Sequence, residues 1–144
     1  EMIEAVGENY LEKYSSTIKK CLNEKGIAAI QGITIKDNLF DRYRNNEDFI
    51  QRYIFPGGFL PSLQFMRDLI KKNKLNLLKI NSYPDDYAKT LATWRENFFK
   101  TWKNITPLGF DEKFKRMWEF YLSYCEAGFK SRNIDLIQFS ICNK

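Results

Sequence analysis

Residues 109–140 have the sequence GFDEKFKRMWEFYLSYCEAGFKSRNIDLIQFS, and this stretch decides the fold of the chain. From residue 111 to about residue 129, apolar side chains recur every three or four positions, which predicts a long amphipathic helix. The side chains expected on its apolar side are Phe114, Met117, Trp118, Tyr121, Leu122, Cys125 and Phe129. A basic turn follows, and residues 134–141 then form an apolar run that predicts a strand. A long helix leading into a strand indicates an α/β protein.

Two further apolar runs upstream predict strands. Residues 27–35 are short, apolar and partly β-branched, which is typical of a strand buried on both faces of a parallel sheet. Residues 75–83 predict another strand. Helices are expected at residues 8–24, 63–72 and from 85 or 86 to about 106, with a short helix or irregular segment between residues 37 and 53.

Two helix ends carry recognisable signals. Ser62 is expected to cap the helix that follows it, and Gly26 is placed as the stop of the first helix. The apolar stripe expected on that first helix is Tyr10, Leu11, Tyr14, Ile18, Cys21 and Leu22.

Composition bounds the class of protein. The length of 144 residues suits one domain, and a net charge of +5 favours an anionic membrane surface or nucleic acid only slightly. Because histidine is absent and the three cysteines are not clustered, neither a zinc nor a haem site is expected. An odd number of cysteines without a CxxC pair indicates reduced thiols in the cytoplasm.

The sequence offers no cofactor loop of the usual kind. A doubly wound sheet binds its cofactor beside a glycine-rich turn that follows the first strand. Gly57 and Gly58 instead follow a helix-like segment, so they are not interpreted as a phosphate loop. No apolar run approaches the roughly 20 residues that span a bilayer, so contact with lipid is expected only at a membrane surface.

Four runs together resemble the cyclopropane fatty acid synthase and mycolic acid methyltransferase family. They are MIEAVGENY (2–10), FIQRYIFPGGFLPS (49–62), YPDDYAKTLATWRENF (83–98) and the run 109–140. The resemblance implies that residues 1–144 are the C-terminal portion of a single class I methyltransferase domain. It implies the last three strands of that sheet with flanking helices, the final strand antiparallel. The cofactor-binding half would then lie upstream, and this chain alone would be inactive.

The resemblance also implies a reaction. Members of the family use S-adenosylmethionine to transfer a methylene or methyl group to the cis double bond of unsaturated fatty acyl chains of phospholipids. A carbocation forms, and a weak base removes a proton; members of the bacterial phospholipid type hold bicarbonate as that base. The implied partners are phospholipid acyl chains at a membrane surface and not nucleic acid. The implied location is cytoplasmic and peripheral at the inner membrane surface.

Four residues match catalytic positions of the family. Glu4 matches a glutamate that helps to fix the bicarbonate, although a first-turn helix glutamate is the alternative. Tyr87 matches an active-site tyrosine, and a core aromatic is the alternative.

Gln31 and Ile33 match positions where some members have histidine and isoleucine. Glutamine donates a hydrogen bond but supplies no charge, so bicarbonate would be bound weakly or not at all, and methyl addition without ring closure stays open. The alternative for Gln31 is a buried amide.

Other residues are expected to meet lipid. Phe55, Gly58, Phe59 and Leu60 correspond to a loop near the acyl pocket, and packing on the core is the alternative. Two basic sets could touch anionic headgroups or simply form solvated helix faces; they are Lys71, Lys72 and Lys74, and Lys113, Lys115 and Arg116.

Two other functions stay open: a non-catalytic module that binds lipid or protein, and a methyltransferase acting on a small soluble acceptor. The resemblance also implies that strand 27–35 lacks its usual neighbour. An exposed strand edge recruits partners, which predicts a homodimer through this edge.

Overall fold

In the computed structural model, which describes residues 2–144, helices alternate with three strands. A 3₁₀ turn precedes α1 at Glu8–Tyr10, and another follows α5 at Thr106–Leu108. In chain order the elements are α1 (Leu11–Cys21), β1 (Ile27–Ile35), α2 (Asp37–Arg44), α3 (Phe49–Tyr53), α4 (Leu63–Lys72), β2 (Leu75–Ser82), α5 (Pro84–Ile105), α6 (Glu112–Lys130) and β3 (Ile134–Asn143). All three strands occur where the sequence predicts them.

The last strand lies in the middle of the sheet. The order is β1-β3-β2, and β3 is antiparallel to both neighbours, in a register that joins Ile27 to Cys142 and Ile35 to Ile134. The predicted α/β class with an antiparallel final strand is confirmed. β3 inserts between β1 and β2, which therefore run in the same direction.

The prediction that β1 is buried on both faces is wrong. Burial alternates along its first half, and Ile27 is 64% exposed, whereas Thr34 and Ile35 near its end are buried. Alternation is typical of a strand that has one face on the core and one on solvent, as antiparallel sheets allow.

The chain divides into two compact units. The first, here named the sheet unit, runs to Tyr83 and resumes at Ile134–Lys144; the second, the hairpin unit, is Pro84–Asn133. The core of the sheet unit consists of Ile3, Leu11, Ile35, Phe40, Phe59, Met66, Leu69, Ile70, Leu75, Ile137, Phe139 and Ile141. Most of these residues lie on α1, α2, α4 and the strands, so the three helices pack against the sheet; Ile3 and Phe59 lie in connecting segments.

The predicted end signal is observed for α4 but not for α1. Ser62 caps α4 by accepting a hydrogen bond from the Phe65 N–H, as predicted. The first helix ends at Cys21, where Leu22 turns extended, and Gly26 lies in a separate turn closed onto Asn23. Its predicted extent and stop are therefore wrong. The predicted apolar stripe is wrong at two positions, because Tyr10 and Cys21 are exposed.

The hairpin unit consists of α5 and α6, which pack along each other. Its most buried apolar side chains are Leu91, Phe129 and Ala88. Asp111 caps α6 by accepting from the Phe114 N–H at 2.8 Å. Across residues 2–144, no helix combines the length and the apolar character needed to cross a bilayer.

Candidate functional site

Glu4 connects three separate segments of the sheet unit. Its backbone oxygen accepts from the Phe59 N–H at 2.9 Å, and its carboxylate Oε1 accepts from the Ile33 N–H at 2.6 Å. The second bond is charge-assisted, which makes it stronger than an ordinary amide–carbonyl bond. The structure thus brings together Glu4, Ile33 and Phe59, three residues singled out in the sequence.

The Glu4 carboxylate lies at the outer edge of β1. The N–H groups of Ile33 and Ile35 point away from β3. The Ile33 N–H donates to the Glu4 carboxylate, and the Ile35 N–H donates to the Pro61 oxygen at 3.1 Å. The predicted open edge is therefore closed at the C-terminal end of β1. Toward its N-terminal end, β1 pairs only with β3 within the part of the chain described, and Ile27 is exposed there.

Gly32 makes the approach of Glu4 to β1 sterically feasible. A Cβ at this position would lie 2.6 Å from Ile3 Cγ2 and 3.5 Å from Glu4 Oε1. Any side chain at residue 32 would therefore displace the segment that carries Glu4. Sequence reasoning missed Gly32, although a single glycine inside a strand run is a signal of close backbone approach.

Gln31 lies on the same strand but in a different environment. Its side chain is exposed, and its Oε1 accepts from Gln138 Nε2 at 2.8 Å across the β1–β3 pair. The interpretation of Gln31 as a buried amide is therefore wrong. Because side chains two residues apart share a face, Gln31 and Ile33 lie on one face of the sheet.

Hydrogen bonds donated by its backbone N–H groups hold the loop after α3. The Gly58 N–H donates to the Phe55 oxygen at 2.9 Å, and a Cβ on Gly58 would meet that same oxygen at 2.9 Å. The Leu60 N–H donates to the Tyr43 hydroxyl at 3.1 Å. The loop thus has one defined backbone path, and glycine is needed at residue 58.

The apolar residues of this loop divide between core and surface. Phe59 is buried and packs edge-on against Phe40 at a centroid distance of 5.8 Å, whereas Phe55 is 55% exposed and Leu60 is partly buried. Core packing, one of the two alternatives, describes Phe59. The exposed Phe55 is the member of this set that is accessible to a ligand.

Tyr14 is influenced by the Glu4 charge. Its pKa is raised, mainly by burial and further by the nearby Glu4 carboxylate, because both disfavour a phenolate. Tyr14 was missed in the sequence because its helical spacing marked it only as part of an apolar stripe. The phenol remains a proton donor at neutral pH.

Tyr87 lies in the hairpin unit, near the start of α5. Its half-buried ring packs edge-on against Phe129 at 4.8 Å and lies 6.1 Å from Trp94. Phe129 is almost fully buried, so it holds the Tyr87 ring in a fixed orientation.

Two further polar side chains, those of Tyr121 and Cys125, interact electrostatically in the same region as Tyr87. The pKa of Tyr121 is raised to about 12, first by burial and then by interaction with Cys125 and Tyr87. Tyr121 and Cys125 are four residues apart on α6, so they share one helix face. The sequence placed both on the apolar side of α6, with Tyr121 as core or pocket wall; their polar ends among apolar neighbours were the available signal.

The described residues show neither a metal site nor a dinucleotide-type loop. Within residues 2–144, no group of three or more Cys, Asp and Glu side chains is placed to hold a metal ion. Gly57 and Gly58 follow α3, as expected from the sequence, and none of the three strands is followed by a glycine-rich turn.

Comparison with known proteins gives a consistent assignment. Residues 1–139 match the protein family described as mycolic acid cyclopropane synthetase. Tuberculostearic acid methyltransferase UfaA1 of Mycobacterium tuberculosis (strain ATCC 25618 / H37Rv) is 41% identical over 142 residues, which are 98% of this chain and 33% of that protein. Cyclopropane-fatty-acyl-phospholipid synthase of Escherichia coli (strain K12) is 31% identical over 139 residues, which are 95% of this chain and 34% of that protein. The chain spans about a third of the length of these curated relatives.

A solved structure shows the same fold. The mycolic acid cyclopropane synthase CmaA1, crystallised with SAH and CTAB, superposes with a TM-score of 0.85 at 24% identity. The superposition covers 96% of this chain and 52% of that one. At this identity the likeness concerns the fold, which is that of a class I methyltransferase sheet.

Proposed function

The chain belongs to the mycolic acid cyclopropane synthetase family, and on that premise we propose that it is the C-terminal portion of an S-adenosylmethionine-dependent methyltransferase domain. The proposed reaction transfers a methylene or methyl group to the cis double bond of unsaturated fatty acyl chains of phospholipids. Support comes from the names of two relatives, a tuberculostearic acid methyltransferase and a cyclopropane-fatty-acyl-phospholipid synthase. The observation that carries the proposal is the Glu4 carboxylate, held at the edge of β1 by the Ile33 N–H.

The proposed role of Glu4 is to accept the proton that the alkylated chain must lose. Histidine is absent from this sequence. Among its side chains, the carboxylates are therefore the groups that are deprotonated at neutral pH and can accept a proton. Two hydrogen bonds, from Ile33 and Phe59, fix both the backbone and the carboxylate of Glu4. A base held in this way needs no reorganisation when the proton is transferred.

The described residues do not fit a tightly held bicarbonate. The Ile33 N–H is already taken by Glu4, and Gln31, which supplies no charge, is exposed and accepts from Gln138. Bicarbonate therefore has no part in the proposed reaction. The described residues do not form a cradle for S-adenosylmethionine either, since glycine-rich turns after strands are missing from residues 2–144. In the proposed reaction S-adenosylmethionine supplies the methyl group.

The proposed role of Tyr87 is to meet positive charge that develops on the acyl chain. An aromatic face attracts a cation, and the attraction is larger where water is excluded. The packing of Tyr87 on the buried Phe129 keeps the face oriented. The raised pKa of Tyr121 means that the neighbouring phenol stays protonated, so it adds no negative charge there at neutral pH.

The remaining roles are proposals of the same kind. We assign Phe55, Gly58, Phe59 and Leu60 to the loop beside the acyl chain, with Phe55 as the exposed contact and Phe59 as its anchor in the core. We further propose a cytoplasmic protein, peripheral at the inner membrane surface, and a homodimer through the N-terminal part of β1, where Ile27 is exposed.

The decisive experiment uses the full-length protein that contains this chain. Incubation with methyl-labelled S-adenosylmethionine and vesicles of unsaturated phospholipid should place label in the fatty acid fraction, and mass spectrometry should show the added carbon. Proton resonances of a cyclopropane ring would distinguish ring closure from a methyl branch. A lipid fraction without label, together with label in a small soluble acceptor, would overturn the proposal. A rate that rises with added bicarbonate would show that Glu4 is not the final proton acceptor.

A further inference from the structure

The tip of the hairpin unit exposes large apolar side chains. The tip consists of residues 106–110, the 3₁₀ turn Thr106–Leu108 followed by Gly109 and Phe110. Leu108 is 73% exposed and Phe110 is 41% exposed. Gly109 has a φ of 94°, a left-handed conformation that suits glycine, and it directs the chain back into α6. The tip is therefore a defined turn that presents apolar groups outward.

The tip is flanked by positive charge. Between residues 100 and 116 the sequence has five basic and two acidic residues, so this part carries a net charge of +3. Lys103, Lys113 and Arg116 are exposed. Both acidic groups are engaged locally: Asp111 caps α6, and Glu112 accepts from Trp102 Nε1 at 3.1 Å. The charge that the tip presents to a partner is thus positive.

We propose that this tip docks onto an anionic lipid bilayer, with Leu108 and Phe110 entering between the headgroups. Apolar and aromatic side chains bordered by Lys and Arg are the pattern of segments that lie in the membrane interface. The ring of Phe110 packs on Phe114 at a centroid distance of 4.5 Å. Because this contact already orients the ring, little side-chain entropy is lost when Phe110 binds. The inference deepens the proposed function, on which it rests, by assigning the surface that meets the lipid.

A second copy of the chain fits the tip less well than a bilayer. A stable protein interface buries about 800 Å² on each partner, which a single five-residue turn with two large exposed side chains does not supply. In a twofold contact the same patch meets itself, so Lys103, Lys113 and Arg116 would face the same cations of the other copy. A lipid surface removes both difficulties, because it is apolar within and anionic outside.

The test measures binding of the full-length protein to vesicles of phosphatidylglycerol and phosphatidylcholine. The double variant Leu108→Ser/Phe110→Ser should bind about tenfold or more weakly, and Lys103→Glu/Lys113→Glu should bind more weakly by at least a similar factor. All four positions are exposed, so the fold should be kept, although Phe110→Ser loses the ring contact with Phe114. Matched controls are Leu78→Ser, which removes an exposed apolar side chain from β2, and Lys20→Glu/Lys25→Glu, which reverses the same amount of charge in the sheet unit.

The location of the contact is tested with Phe110→Trp. The difference between its fluorescence and that of the wild-type protein, which already contains Trp94, Trp102 and Trp118, reports on residue 110. This difference emission should shift to the blue on addition of vesicles and should be quenched by brominated acyl chains. A blue-shifted difference emission before lipid is added would show that protein covers the tip, and it would overturn the inference. So would wild-type binding of both tip variants, or loss of binding only in the Lys20→Glu/Lys25→Glu control. Label incorporated into lipid dispersed in detergent reports the proposed function separately, whatever the vesicles show.

Discussion

The carboxylate of Glu4 accepts a hydrogen bond from the backbone N–H of Ile33 at 2.6 Å, and it occupies the position at the β1 edge where the carbonyl of a neighbouring strand would lie. A charged side chain therefore completes the hydrogen bonding of this edge strand. Edge strands are commonly closed by bulges, prolines or charges, and here the closing charge is also the candidate base.

Replacing Glu4 by Gln keeps the size of the side chain and an acceptor oxygen but removes the negative charge. We expect methyl incorporation to fall by about 10²-fold or more, in the range typical of a lost general base. The thermal midpoint should fall modestly, because the Ile33 N–H keeps an acceptor but the charge-assisted bond becomes a neutral one. The control Glu24→Gln removes an exposed charge near the end of α1 and should have wild-type activity. Full activity of Glu4→Gln would remove Glu4 from the mechanism.

Replacing Gly32 by Ala should displace the segment that carries Glu4. The new Cβ would lie 2.6 Å from Ile3 Cγ2, and Ile3 is almost fully buried. Overpacking of this kind costs about 1–3 kcal/mol, measured as the free energy of unfolding in urea.

Gly57→Ala is the control for Gly32→Ala. Gly57 has a positive φ and open space around it, so the expected loss is about 1 kcal/mol, from backbone strain alone. Activity should fall in Gly32→Ala and stay near wild type in Gly57→Ala. A stable and fully active Gly32→Ala protein would contradict the close approach.

Replacing Tyr87 by Phe keeps the packing on Phe129 and removes only the hydroxyl. If the phenol takes part in the reaction, the turnover number should fall by roughly 10²-fold, the scale of one lost hydrogen-bond donor at a reacting centre. If the ring face alone is used, Tyr87→Phe should remain active while Tyr87→Leu should not. Tyr53→Phe, at an exposed tyrosine of α3, is the matched control. Wild-type turnover of Tyr87→Leu would exclude both roles.

The pH dependence of stability should report on Glu126. Its pKa is lowered, mainly by the hydrogen bond from Lys130 and further by Arg95, against the opposing effect of its burial. A carboxyl whose pKa is lower in the folded state stabilises the fold above its unfolded value of 4.5, and that contribution is lost as the pH falls through the folded value.

Glu126→Gln should therefore be less stable than wild type at pH 7 by about 1–3 kcal/mol, the scale of hydrogen bonds to charged groups. The difference should shrink as the pH falls below 4.5. Urea unfolding of both proteins between pH 3 and pH 7 measures it, and Glu119→Gln, an exposed position on α6, is the control. A difference independent of pH would contradict the ionic origin.

The positions of the strands and of the long helices followed from local pattern. Strand β1 is observed at the predicted residues 27–35, and Ser62 caps α4 as expected. Periodicity and capping depend on residues close in the chain, so the sequence carries them directly. The same reasoning erred at α1, where an apolar spacing continued beyond the helix into an extended Leu22. A spacing of three or four does not show where the backbone leaves the helix.

The site depended on contacts between distant parts of the chain. The resemblance singled out Glu4, Gln31 and Ile33. It did not show that Glu4 binds the Ile33 N–H, or that Gln31 pairs with Gln138, 107 residues away. Tyr14 was missed because its significance arises only when Glu4 is placed beside it, and the glycine signal at Gly32 does not show which segment approaches it.

The sequence by itself determined which segments of this protein become helix or strand, and its motifs identified the family, because both are written in residues that are near neighbours along the chain. Only the tertiary structure decided that β3 lies between β1 and β2, and that a carboxylate rather than a strand receives the Ile33 N–H. The physical reason is that strand pairing and side-chain-to-backbone hydrogen bonds are satisfied across space. Many partners compete for each donor, and only the packed core selects one of them.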